Sequence, residues 1–246
     1  MQEHETVLDV EGVAVAFDGR PVLRGVGLQL RCGELVSLLG ASGGGKTTLF
    51  NVIAGLLPAD AGRVLLQGRD ITGQSGQVSY MMQKDLLLES MRVADNVGLP
   101  LRLRGASKAQ ARAEAEALLP QFGLADAGDL WPAQLSGGMR QRAALARTYL
   151  FSREVMLLDE PFSALDAFTK AEMHQWFAQA RQQLGLSVLL VTHDIDEAVL
   201  LSNRVLVLRD GAIAGEVAVA RPAAEQDFSL TEQFLEAKRA VKALLA

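Results

Sequence analysis

The sequence holds one cysteine, three histidines and no surplus of positive charge, and each shortage excludes something. A lone thiol, Cys32, cannot close an internal disulfide or build a cysteine-cluster metal site, and it reads as a small residue at a strand edge. Lys and Arg number 24 against 29 Asp and Glu, giving a formal charge of −5 and a pI near 5.3. That balance argues against a nucleic-acid partner, because such binders usually carry a basic face. No apolar run approaches the roughly 18 residues that a membrane-spanning helix needs. The opening MQEHETVLDV is acidic and lacks a basic segment followed by an apolar one. The expectation is a cytosolic chain without a secretory signal, reaching a membrane only through a protein partner.

What is present is a patterned globular sequence, 49% apolar and 22% charged, long enough to bury a core. Residues 7–17 and 26–30 alternate apolar with other residues and predict antiparallel strands. LVSLL (35–39) is a short apolar run followed by glycines and an amphipathic stretch to Ala54, ended by Gly55 and Pro58. Strands are expected at 63–67 and 77–80, then helices broken by Pro and Gly from Val93 to Tyr149. Buried strands return at 155–159 and 187–192, around a helix at 168–184. A short helix from Ile195, strands at 205–209 and 212–217, and a helix at 229–245 close the pattern. Strands alternating with helices give an α/β fold. With Gly40-Ala41-Ser42-Gly43-Gly44-Gly45-Lys46-Thr47 set between a strand and a helix, the expected form is a P-loop NTPase core of mixed sheet and helices, with an antiparallel β subdomain. One domain over 1–246 carries a helical insertion at about 86–152.

Two motifs carry chemistry. Gly40-Ala41-Ser42-Gly43-Gly44-Gly45-Lys46-Thr47, followed by Thr48, lies between a strand and a helix and fits the phosphate-binding loop. Glycines let successive backbone N–H groups converge on phosphate, and the helix N-terminus adds partial positive charge. Lys46 supplies a mobile cation, and the Thr47 hydroxyl can ligate Mg²⁺. The second motif is Val155-Met156-Leu157-Leu158-Asp159-Glu160, an apolar strand ending in two acids, where α/β sheets bind ligands. Asp159 suits a Mg²⁺ coordination sphere, and Glu160 can polarise an attacking water.

A third segment, Leu135-Ser136-Gly137-Gly138-Met139-Arg140-Gln141-Arg142, resembles the signature of ABC ATPases, although Met139 stands where the commonest signature has glutamine. Other matches follow in that family's order: Gln83 after a strand, Ser163-Ala164-Leu165-Asp166, and His193 after the last core strand. The resemblance implies ATP and Mg²⁺ as ligands. Phe17 would stack on adenine, Glu160, His193 and Gln83 would serve hydrolysis, and Thr47, Gln83 and Asp159 would hold the metal. Ser136, Gly137, Gly138 and Asp166 would complete the nucleotide site of a second copy in a homodimer. A soluble ABC ATPase acting on nucleic acid or ribosomes would usually show long coiled-coil insertions or two tandem cassettes, and neither occurs. A small-molecule kinase leaves the signature unexplained.

A separate ATPase chain resembles importer systems, which adds transmembrane permease subunits and a substrate-binding protein as partners. It places the chain at the cytoplasmic face of the cell membrane. Tyr80–Leu88 and Pro161–Asp166 look like the nitrate, sulfonate and taurine group, which includes importers of thiamine precursors. Here Glu89-Ser90 replace that group's frequent Pro-Trp. Leu86, Leu87 and Leu88 cannot all face one side of a regular element, so some are expected to point outward toward a permease, or else to tuck onto the helical block. Trp131 and Trp176 are expected to pack, His4 and His174 to lie on the surface, and the alternating charges of 102–116 to form a solvated helix face.

Overall fold

Asp18 and Gly19 take positive φ, 50° and 73°, the conformation of a two-residue hairpin turn. They fold Thr6–Phe17 (β1) back on Arg20–Arg31 (β2). The second strand therefore starts at Arg20 and not at Val26, because the turn comes from Asp-Gly. The computed structural model describes residues 5–152, 154–221 and 228–246, so His4 lies outside the described residues.

β1 also pairs with Ala61–Leu66 (β4), which pairs with the two-residue Arg69–Asp70 (β5). This four-stranded antiparallel sheet has the order β2-β1-β4-β5. β5 was not expected, since two exposed charged residues carry no periodicity.

The second sheet is built on Leu35–Leu39 (β3), whose five residues are all buried. Around it stand Ser79–Met81 (β6), Val155–Asp159 (β7), Ser187–Val191 (β8), Arg204–Arg209 (β9) and Ala212–Ala218 (β10). The order is β10-β9-β3-β8-β7-β6, parallel throughout except for the β9–β10 hairpin. Continuous apolar runs at β3, β7 and β8 are what a sheet covered on both faces requires.

Lys46–Ile53 (α1) follows β3 and packs Leu49, Phe50 and Ile53 between the two sheets. The helical block comprises Val93–Val97 (α2), Leu99–Leu103 (α3), Lys108–Leu118 (α4) and Gly137–Phe151 (α5). Its core includes Val93, Val97, Phe122 and Leu145, continuous with Met156 and Leu158 of β7. Ala167–Leu184 (α6) and Ile195–Leu201 (α7) flank β8, and Glu232–Leu245 (α8) lays Phe234, Ala237 and Val241 on β9.

Two side-chain expectations need correction. His174 is 7% exposed, because its position on α6 faces α7 and its ring finds a carboxylate there. Trp131 is 39% exposed, with the Arg92 guanidinium over its ring. Within 102–116 the charged residues form the expected solvated face, exposed except for half-buried Arg112, which bridges Glu116, Asp129 and Asp95. Trp176 packs against the helical core as expected.

Candidate functional site

Four neighbouring parallel strands, β3, β8, β7 and β6, end on the same edge of the sheet. With strands about 4.8 Å apart, the loops that follow them fall within about 15 Å. Those loops carry the phosphate-binding motif, His193, Asp159-Glu160 and Gln83. Residues that are far apart in sequence meet because the strands carrying them are adjacent.

The loop after β3 is shaped by close approach. A Cβ on Gly40 would lie 2.4 Å from the Leu208 carbonyl oxygen, and Gly45 has φ 97°. No side chain caps α1 and no acid stands in its first turn. Its first N–H groups and its dipole are therefore available to an anion. Lys46 Nζ donates to the carbonyls of Gly40 (2.8 Å) and Ala41 (2.9 Å), which use two of its three donors. Burial lowers the Lys46 pKa, with Glu160 and Asp159 opposing the shift.

Asp159 is 8% exposed. Its Oδ2 accepts long hydrogen bonds from the Thr47 hydroxyl and from the Tyr80 hydroxyl, both at 3.3 Å. Burial pushes this carboxyl up, against the two hydrogen bonds that pull it down. The Tyr80 hydroxyl is pushed up by its own burial and by Asp159. A hydroxyl and a carboxylate facing each other at a phosphate loop are a hard oxygen donor set, which suits Mg²⁺ that keeps several waters.

Glu160 sits in the left-handed region at φ 47°, with its N–H bound to the Val191 carbonyl at 2.9 Å. Its Oε2 accepts from Gln83 Nε2 at 3.2 Å and lies 3.2 Å from His193 Nδ1. The expected residues Lys46, Thr47, Gln83, Asp159, Glu160 and His193 thus meet in one cluster. Tyr80 joins them unforeseen. Its place three residues before Gln83, on a strand beside β7, was the available signal.

The remaining expected residues stand elsewhere. Phe17 is 47% exposed at the tip of the β1–β2 hairpin. Ser136 caps α5, its Oγ accepting the Met139 N–H at 3.3 Å, and α5 also lacks an acid in its first turn. A Cβ on Gly138 would lie 3.1 Å from Thr169 Cγ2, so glycine there admits close packing on α6. Asp166 caps α6 through the N–H groups of Phe168 and Thr169, and the Thr169 hydroxyl, together with these N–H groups, holds its carboxyl below the usual range. Among the described residues no hydrogen bond links Ser136 or Asp166 to the Glu160 cluster. One bridge does join the two regions. Arg140, on α5 behind Ser136, makes a double hydrogen bond to Asp85 (2.9 and 3.1 Å), two residues after Gln83. Arg147, lower on α5, binds the carbonyls of Asp85 and Leu86.

This segment also settles the three leucines. Leu86 is 52% and Leu88 44% exposed, while Leu87 is 6% exposed and belongs to the helical core. Leu86 lines an apolar groove with Leu56, Met82, Leu99, Leu103 and Phe151.

Residues 23–163 match the family model for ABC transporter proteins. The aliphatic sulfonates import ATP-binding protein of Albidiferax ferrireducens is 43% identical over 213 residues, covering 86% of this chain and 74% of that protein. The taurine import ATP-binding protein of Yersinia pestis is 42% identical over 205 residues, covering 83% and 80%. The solved structure of CbiO1 from Clostridium perfringens, described as part of an ABC transporter complex, aligns with a TM-score of 0.79 at 25% identity over 87% of this chain and 89% of that chain. Sequence match and strand-end geometry converge, and the chain belongs to the ABC transporter family as one of its ATP-binding ATPase domains.

Proposed function

We propose that this chain hydrolyses ATP as the motor subunit of an importer for small sulfonates. The observation that carries the hydrolytic reading is the Glu160 carboxylate, held between Gln83 and His193 at 3.2 Å on each side. A carboxylate so placed beside a phosphate loop can orient a water and accept its proton. The phosphates would lie on the Gly40–Thr48 loop and the α1 N-terminus, with Lys46 at the β- and γ-groups. Adenine would stack on Phe17. Mg²⁺ would be held by Thr47 and Asp159, with Gln83 nearby, and supplies charge neutralisation on the phosphates when bound. His193 would hold Glu160 and sense the γ-phosphate.

The surface Ser136-Gly137-Gly138 with Asp166 would serve the nucleotide of a second copy in a homodimer. No described helix is long and apolar enough to cross a membrane. The groove around Leu86 would therefore receive a helix of a separate permease, seating the chain at the cytoplasmic face of the cell membrane. A binding protein would deliver the cargo. The helical block of about 86–152 would tilt with nucleotide through Gln83 and the Arg140–Asp85 pair.

The sulfonate reading is supported by the names of the two importer relatives, and nitrate and thiamine-related pyrimidines are the competing cargoes. Uptake of labelled taurine, an alkanesulfonate, nitrate and a thiamine pyrimidine in a deletion strain tests it. Sulfonate uptake should fall and return with the wild-type chain but not with Glu160→Gln. Loss of nitrate or pyrimidine uptake alone would move the assignment to that cargo.

A further inference from the structure

Helices α6 and α7 share a group of charges that the hydrolytic cluster does not use. Lys170 Nζ lies 2.7 Å from Asp194 Oδ2 and 3.1 Å from Glu197 Oε2. One turn along α6, His174 Nε2 lies 3.0 Å from the same Glu197 oxygen. Glu197 is 2% exposed. Burial alone would push its carboxyl up, but hydrogen bonds from His174 and Thr192, with Lys170 beside it, hold it below the usual range. A buried carboxylate of this kind is a weak source of stability, so its partners are better explained by what they hold in place.

They hold the two neighbours of His193. Thr192 Oγ1 accepts the Asp194 N–H at 3.1 Å, and Asp194 Oδ1 accepts the N–H groups of Asp196 (2.9 Å) and Glu197 (3.2 Å). His193 itself is largely exposed and meets Glu160 at 3.2 Å. The other end of the network reaches the segment after Glu160. Phe162 packs edge-on against the His174 ring, with centroids 5.0 Å apart. α6 is also capped by Asp166, so its first turn carries Lys170 within reach of α7.

We propose that Lys170 and His174 are positioning residues for hydrolysis: they fix Asp194 and Glu197 so that His193 stays aimed at Glu160, and they tie that aim to the helix that Asp166 caps. The inference rests on the roles given above to Glu160 and His193. Misplacing a group by about 1 Å can cost up to about a hundredfold in rate. We expect Lys170→Gln in the full chain to lower kcat about tenfold, with ATP affinity held within about twofold and Lys170→Arg restoring most of the rate. The deciding readout is a double-mutant cycle. If Lys170 acts through His193, then Lys170→Gln costs nothing further in a His193→Ala background, whereas a general structural role gives additive losses. His174→Gln, which keeps a donor for Glu197, should stay near wild type, and His174→Leu should behave like Lys170→Gln. A Lys170→Gln rate within twofold of wild type, or additive losses, overturns the proposal. A His193→Ala rate equal to wild type instead overturns the reading of the hydrolytic cluster.

Discussion

Asp159 and Glu160 show how two adjacent acids acquire different chemistry from their surroundings. Asp159 ends a buried strand and accepts from two hydroxyls, so its carboxylate is held in place. Glu160 turns out of the strand at φ 47° into a polar space between an amide and an imidazole. Glu160→Gln keeps the shape and removes only the ability to accept a proton. We expect turnover to fall at least about a hundredfold, the lower range for a general base. ATP affinity by titration calorimetry should remain within a few-fold. Near-normal turnover would assign the proton to another group. Both acids were legible in the sequence because an apolar strand ending in Asp-Glu is a contiguous pattern. Tyr80 and His174 were not, because their partners Asp159 and Glu197 lie 79 and 23 residues away and only the strand order and the α6–α7 packing bring them together.

At the scale of elements, the long buried strands were the most legible. β3 and β7 fall on their expected boundaries, and α6 begins one residue earlier than expected. Such runs have no alternative use, since only burial on both faces accommodates them. The start of β2 and the exposed β5 were missed, one because Asp18-Gly19 was not read as a turn, the other because pairing alone defines it. The segment after Gln83 shows the remaining limit. Periodicity said that three leucines could not face one way, but not which one turned inward. Asp85 and Asn96 decide this by accepting the N–H groups of Leu87 (2.9 Å) and Leu88 (2.7 Å). A charge at Leu87 therefore enters the core, whereas one at Leu86 enters the groove. Leu87→Asp should lose about 3 kcal/mol or more of stability, seen as a large fall in Tm. Leu86→Asp should keep Tm and ATP binding yet co-purify poorly with permease subunits. Equal behaviour of the two variants would place the permease contact elsewhere.

For the whole molecule, the question is where the second phosphate-binding surface is used. The starts of α5 and α1 share one feature, the lack of an acid in their own first turn, although Ser136 caps α5 while no side chain caps α1. Yet Ser136 makes no hydrogen bond to the Glu160 cluster, and its neighbour Gly138 packs on α6. In the homodimer proposed above, this surface would meet the phosphate loop of the second copy. Two-fold symmetry would then make two equal sites, each joining one chain's Lys46 and Glu160 to the other's Ser136 and Gly138. This sharing predicts complementation. Ser136→Asp keeps a good helix cap but sets a negative charge against the nucleotide. Lys46→Ala removes the cation beneath it. With Glu160→Gln in both chains to prevent turnover, neither variant alone should dimerise on adding ATP, since both of its sites are damaged. Mixed one to one, they form a pair with one site carrying both lesions and one carrying neither. Light scattering should then show an ATP-dependent dimer holding one nucleotide, at an affinity close to that of the Glu160→Gln parent. If each site were contained within one chain, every site in the mixture would carry a lesion and mixing would restore nothing.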